Sequence, residues 1–148
     1  MIKIVKGDLL TVERGIIGHQ VNAKGVMGSG LAKQIRKKYP NAFSEYKEFI
    51  DQNEGILLGK VNGVKVDDEL FIANMFGQDG YGNDGKQYTD TEALYKCFKT
   101  LRTASEKTGL PVYLPYMIGC GLGNADWKEV EGLLLDAFEG YRVTLYKL

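Results

Sequence analysis

The run Ile16-Ile17-Gly18-His19-Gln20-Val21-Asn22-Ala23-Lys24-Gly25-Val26-Met27-Gly28-Ser29-Gly30-Leu31-Ala32 passes from an apolar segment, through a glycine-rich turn, into a helical repeat. Ile16 to Val21 is nearly continuous in apolar character, as in a strand buried in a sheet interior. Leu31, Ile35 and Tyr39 then recur at helical spacing until Pro40 ends or kinks the element. A turn of the form Gly28-Ser29-Gly30 between a strand and a helix leaves backbone N–H groups and the positive end of the helix dipole facing an anion. Glycine lets the backbone approach phosphate oxygens with no Cβ in the way. Taken alone, a glycine pair at a tight turn has an equally good structural reading.

Working outward, Ile2 to Val5 alternates like a strand, and Phe43, Tyr46, Phe49 and Ile50 continue a second helical face after Pro40. Asn62-Gly63 is the dipeptide that best supports a two-residue hairpin turn, and Leu70 to Met75 reads as a buried strand. The stretch from Gly77 to Gly85 is too polar and glycine-rich for regular structure and long enough to be a functional, mobile loop. Thr89 with Glu92 forms a capping box ahead of a helix whose buried stripe is Leu94, Cys97, Phe98, Leu101 and Ala104, stopped by Gly109-Leu110-Pro111. Val112-Tyr113-Leu114 opens another strand, and Asp126 with Glu129 caps a helix that turns Trp127, Val130, Leu134 and Phe138 inward. Val143 to Tyr146 is the last strand. Alternating strands and helices, with one hairpin, predict an α/β fold: a three-layer α/β/α sandwich on a mixed, mostly parallel sheet, folded as one domain over residues 1–148. Ligands of such folds collect beyond the carboxyl ends of the strands, where both glycine loops lie.

Bulk properties remove several classes of function. The chain of 148 residues is 44% hydrophobic and 26% charged, as ordinary globular proteins are. Lys plus Arg and Asp plus Glu number 19 each, which argues against affinity built on neutralising nucleic-acid phosphates and against direct sequence-specific nucleic-acid binding. Lys33-Gln34-Ile35-Arg36-Lys37-Lys38 reads first as a solvated helix face. Cys97 and Cys120 make no disulfide framework, and no Cys/His cluster has metal-ligand spacing. With no signal peptide and no membrane-spanning run, the expected setting is reducing and cytoplasmic, with no membrane partner.

A second loop, Ile118-Gly119-Cys120-Gly121-Leu122-Gly123, again joins a strand to a helix and offers a second nest of donors. Two such loops suit a diphosphate held between them. The order of the pieces resembles the macrodomain family: Lys6-Gly7-Asp8-Leu9-Leu10, then Val21-Asn22-Ala23-Lys24-Gly25 before Met27-Gly28-Ser29-Gly30-Leu31-Ala32, then Pro115-Tyr116-Met117-Ile118-Gly119-Cys120-Gly121-Leu122 before Trp127. The resemblance covers essentially the whole chain. It is strongest to the compact branch that holds the terminal ADP-ribose protein glycohydrolase, the yeast ADP-ribose-phosphate phosphatase and several bacterial and phage macrodomains.

That resemblance implies ADP-ribose, free or attached to protein or nucleic acid, as ligand or substrate, with no cofactor and no metal. It implies that Asp8 accepts from the adenine amine while the N–H of Leu9 meets a ring nitrogen. Asn22 falls near the distal ribose, Gln20 is counted among the ligand-binding residues, and Met27, Gly28, Ser29, Gly30 and Leu31 face the phosphates together with Ile118, Gly119, Cys120, Gly121, Leu122 and Gly123. Asn74, Met75, Phe76 and Gln78 line the ribose end, Tyr146 is a candidate wall for the adenine, and Pro115 is counted among the ligand-binding residues. Tyr146 has an equally good core reading, whereas Trp127 reads first as core.

Catalysis is harder to place. The lysine and loop aspartate of the glycohydrolase are replaced here by residues of the Asn74-Met75-Phe76-Gly77 stretch and by Gly123, so a lysine Schiff base is not expected. His19, the one histidine, matches in place a histidine of the phosphatase-like relatives and has an ordinary pKa suited to acid–base work, although a lone histidine in a strand is more often packed in the core. Asp126 is a helix cap first and a water-activating carboxylate second. A reactive thiol at Cys120 is the least favoured option. The expected function is therefore hydrolysis of a group on the distal ribose, either phosphate or a macromolecular attachment, with a non-catalytic ADP-ribose reader as the alternative. A dinucleotide-dependent oxidoreductase is disfavoured because the full G-x-G-x-x-G series is missing.

Overall fold

In the computed structural model, which describes residues 1–148, the apolar segment that opens the decisive run forms β2 (Gly15–Val21), near the middle of a six-stranded sheet. The other strands are β1 (Ile2–Lys6), β3 (Val61–Asp67), β4 (Leu70–Phe76), β5 (Val112–Pro115) and β6 (Val143–Lys147). Their order is β1-β6-β5-β2-β4-β3, and every neighbouring pair is parallel except β3 with β4. Helices α1 (Gly30–Lys38) and α2 (Pro40–Gln52) cover one face, and α3 (Thr91–Thr108) and α4 (Trp127–Ala137) the other, which makes the three-layer α/β/α sandwich.

Burial on both faces explains why β2 shows no alternation. Ile17 and Val21 pack with Ile35, Ala42 and Tyr46 from the α1/α2 layer, while Ile16 joins Leu94, Phe98 and Leu101 of α3. Gly18 lets α3 come close: a Cβ there would lie 2.6 Å from the Leu114 side chain and 2.8 Å from that of Leu101. Tyr39 breaks α1 from α2, and Pro40 starts α2 at a position where its missing N–H has no helical partner to lose. Gly109, at φ 74°, ends α3 in the left-handed conformation that glycine adopts without strain.

Two expectations change. Asn62-Gly63 is no hairpin turn but lies inside β3, where Asn62 pairs with Asn74 across the ladder, and the connection to β4 falls at Asp68-Glu69. The α3 cap is Asp90, whose carboxylate accepts from Ala93 N–H at 3.0 Å, because the Thr89 hydroxyl is committed elsewhere. Asp126 caps α4 as expected, accepting from Glu129 N–H at 3.3 Å. No helix is long and apolar enough to cross a membrane.

Candidate functional site

A cleft of about 670 Å³ opens beyond the carboxyl ends of β5, β2 and β4. It brings together His19, Gln20, Asn22, Gly28, Ser29, Gly30, Leu31, Gln78, Pro115, Ile118, Gly119, Gly121, Leu122 and Gly123, all singled out from sequence. Val21, Val26, Ala32, Tyr116 and Met117, and the loop residues Tyr81, Gly82 and Asn83, join the wall although sequence reasoning had not named them as contacts. The signal for most of them was present, since they sit inside or beside the glycine motifs or in the polar loop after β4. None of the lining residues is Lys, Arg, Asp or Glu.

The donors are backbone groups. The N–H groups of Gly28, Ser29, Gly30 and Leu31 have no acceptor in the chain, and the Ser29 side chain does not cap α1. In the second loop the carbonyls are tied down while the amides stay free. Gly119 O accepts from Ala125 N at 3.0 Å and from Thr89 Oγ1 at 2.7 Å, and Gly123 O accepts from the N–H groups of Tyr88 and Thr89 at 2.8 and 3.0 Å. The N–H groups of Gly121, Leu122 and Gly123 are left without partners. Carbonyls held back and amides released give a concave patch of positive partial charge.

Gln20 holds this arrangement together. Its Nε2 donates to Gln78 Oε1 at 2.7 Å and to Thr89 Oγ1 at 2.8 Å, which links β2 to the loop after β4 and, through Thr89, to the second glycine loop. A side chain at Gly123 would collide with Thr89 Oγ1, so glycine is required there by packing as well as by ligand approach. Asn22 organises the first loop: its Oδ1 accepts from Lys24 N–H at 2.9 Å and from Tyr46 Oη at 3.0 Å, and its Nδ2 donates to Val26 O at 2.9 Å.

Several expected contacts lie elsewhere. Met27, Asn74 and Phe76 are buried in the core, Phe76 stacking on Tyr46 and Phe49, so they support the cleft from behind: Met27 does not face the phosphate loop's ligand side, and Asn74 and Phe76 do not line the ribose end. Met75 is likewise buried, packed with the α3 layer. Cys120 is half-buried and off the wall; burial first, and the negative Asp126 second, push its thiol pKa up, against nucleophilic use. Tyr146 lies edge-on to Tyr113, outside the cleft wall, and Trp127 is half-buried against Tyr116. Asp8 and Leu9 sit just past the end of β1. One Asp8 oxygen accepts Leu10 N–H at 2.9 Å, the other has no partner in the chain, and Leu9 N–H is also free.

His19 and Asp126 have structural roles. The His19 ring is 2% exposed, with Nε2 2.6 Å from Asn74 Oδ1. Asn74 Nδ2 donates to Ala42 O and to Asn62 Oδ1, which turns its oxygen toward His19 and fixes the Nε2–H tautomer; Nδ1 is buried without a partner. Burial lowers the His19 pKa to about 4 against the opposing pull of the Asn74 bond, so the ring is neutral at pH 7 and its one N–H is held by Asn74. Asp126 is exposed at the head of α4 and does not line the cleft.

The Macro domain family model matches residues 19–134, a span that holds both glycine loops. This chain is a macrodomain. The macrodomain is 30% identical over 143 residues to the DNA ADP-ribosyl glycohydrolase of Mycobacterium tuberculosis, covering 94% of this chain but 39% of that protein's length. It is 29% identical over 147 residues to the ADP-ribose 1''-phosphate phosphatase of Lodderomyces elongisporus, covering 90% of each. The macrodomain of Mycobacterium tuberculosis DarG superposes with a TM-score of 0.83 at 25% identity, over 99% of this chain and 97% of that one.

Proposed function

We propose that this macrodomain binds ADP-ribose across the cleft and hydrolyses a group attached at C1'' of the distal ribose. The observation that carries the binding is the pair of facing loops whose amides have no internal acceptor, around a cleft without charged side chains. A diphosphate would supply the missing acceptors at every free N–H, and backbone donors bind phosphate without the entropy cost of ordering long cations. Asp8 with its unused oxygen and Leu9 with its free N–H form an acceptor beside a donor, the pattern that the adenine amine and ring nitrogen require. Adenine then lies toward β1, and the distal ribose toward β2 and β4.

For an attached macromolecule, water adds across the C1''–O or C1''–N bond: oxygen goes to C1'' and the proton leaves with the departing group. The wall carries no carboxylate and its one imidazole, His19, is buried against Asn74, so the bound diphosphate itself is the base proposed for that water, and the loop amides hold both. The reading calls for no metal and no cofactor. The same lack of a carboxylate or an exposed imidazole favours a second reading, a reader that holds ADP-ribose-modified protein or nucleic acid without turnover.

Calorimetry with ADP-ribose and AMP tests binding, and ADP-ribose affinity no better than that for AMP would sink the assignment of the two loops. Incubation with ADP-ribose 1''-phosphate and with ADP-ribosylated protein and DNA then separates the readings. Release of the attached group supports the hydrolase, whereas tight binding with no release makes the chain a reader.

A further inference from the structure

Beyond β4 the cleft wall consists of Gln78, Tyr81, Gly82 and Asn83. On the reading above, which places adenine at Asp8, the sheet order sets this end farthest from the adenine and next to C1''. The charged side chains of this stretch neutralise one another: Lys24 lies 3.3 Å from Asp79, and Lys86 lies 3.9 Å from Asp84. The wall itself offers a phosphate dianion no charged side chain, which is poor compensation for its lost hydration. Tyr81 is 55% exposed, stacks on no other ring of the chain and makes no side-chain hydrogen bond within it. Met117 and Leu122, which line the same cleft from the second glycine loop, are also exposed, at 42% and 58%. Apolar side chains gathered at the mouth of a cleft mark a contact surface, and a ring without a partner is a stacking surface for a flat ligand.

We propose that Tyr81, with the exposed apolar side chains of Met117 and Leu122 in the same wall, makes this macrodomain select ADP-ribose derivatives whose C1'' carries an uncharged, flat ring over those that carry a phosphate. Tyr81 is the specificity-determining residue, and Met117 and Leu122 add apolar surface to the same wall.

NADH, which presents an uncharged dihydronicotinamide ring at C1'', ADP-ribose 1''-phosphate and plain ADP-ribose are titrated into the whole chain by calorimetry at one ionic strength. NADH is expected to bind roughly two- to tenfold more tightly than plain ADP-ribose through stacking, and the phosphate ester more weakly than NADH by at least the same factor. Tyr81→Ala is expected to shrink the NADH-to-ADP-ribose affinity ratio by about that stacking factor, and Tyr81→Phe to retain it. A phosphate ester that binds as tightly as NADH, or a ratio that Tyr81→Ala does not move, overturns the proposal while leaving ADP-ribose as the ligand. Failure of all three to bind overturns the ADP-ribose reading and this inference with it.

Discussion

His19 is a base that the fold keeps uncharged, and that makes it a sensor of acid in the stability of the chain. Its pKa falls from an ordinary 6.5 to about 4 because burial penalises the imidazolium. The unfolded chain therefore binds the proton more readily. The stabilising contribution is complete above pH 6.5 and is lost as pH falls toward 4, on the order of 3 kcal/mol in all. Denaturant melts between pH 7 and pH 4 should show this loss, and in His19→Gln the same profile should be flatter; equal slopes would contradict the burial argument. The residue's type and position made it a candidate acid, but no local pattern reveals that Asn74 and Asn62 would be stacked beside it on β4 and β3. Asn74 and Phe76 were misplaced for the same reason. A strand buried on both faces shows no period, so the sequence could not indicate which of its residues reach solvent.

At the scale of elements, the strands, helices and their order follow from apolar runs, caps and prolines, and what went astray was the hairpin. Asn62-Gly63 has the chemistry of a turn, yet the ladder of β3 against β4 extends through it, with Asn62 accepting from Asn74. Tertiary pairing overrode a local preference. Asp126 offers a cleaner test, because its cap and its suspected chemistry can be pulled apart. Asp126→Ala should cost about 1 kcal/mol through loss of the α4 cap, while Asp126→Asn, which also accepts from the Glu129 amide, should cost a few tenths at most. Turnover that falls only as far as stability falls leaves Asp126 a cap. A drop in turnover of tenfold or more in Asp126→Asn at unchanged melting temperature would make it a chemical participant. Thr89→Val probes the tie between elements: it removes the donor to Gly119 O and an acceptor for Gln20. Weakened ligand binding is expected along with some loss of stability, and Thr89→Ser should restore both.

Across the whole molecule, chain order alone brought the two glycine loops to one edge of the sheet, and that much was legible because each loop follows a strand and precedes a helix. What was not legible was the neutrality of the cleft, whose wall draws on none of the chain's 19 Lys and Arg or 19 Asp and Glu side chains. A site built on amides makes a sharp prediction at Gly121. The wall is open at that position, since a Cβ there meets nothing within 4 Å, and its φ is not in the left-handed range. Gly121→Asp should therefore fold as well as the parent while setting a negative charge among the donors meant for the diphosphate. In the parent, ADP-ribose at about one hundred times its Kd should stabilise the fold by about 2.7 kcal/mol, a rise in melting temperature of roughly 5–10 °C for a domain of this size. In Gly121→Asp the unliganded melting temperature should stay within a degree or two and the rise should vanish. Thermal melts with and without ligand decide it: a full shift in the variant would mean that the second loop does not hold the phosphates, and a low melting temperature without ligand would mean that the loop needs glycine for packing there as it does at Gly123.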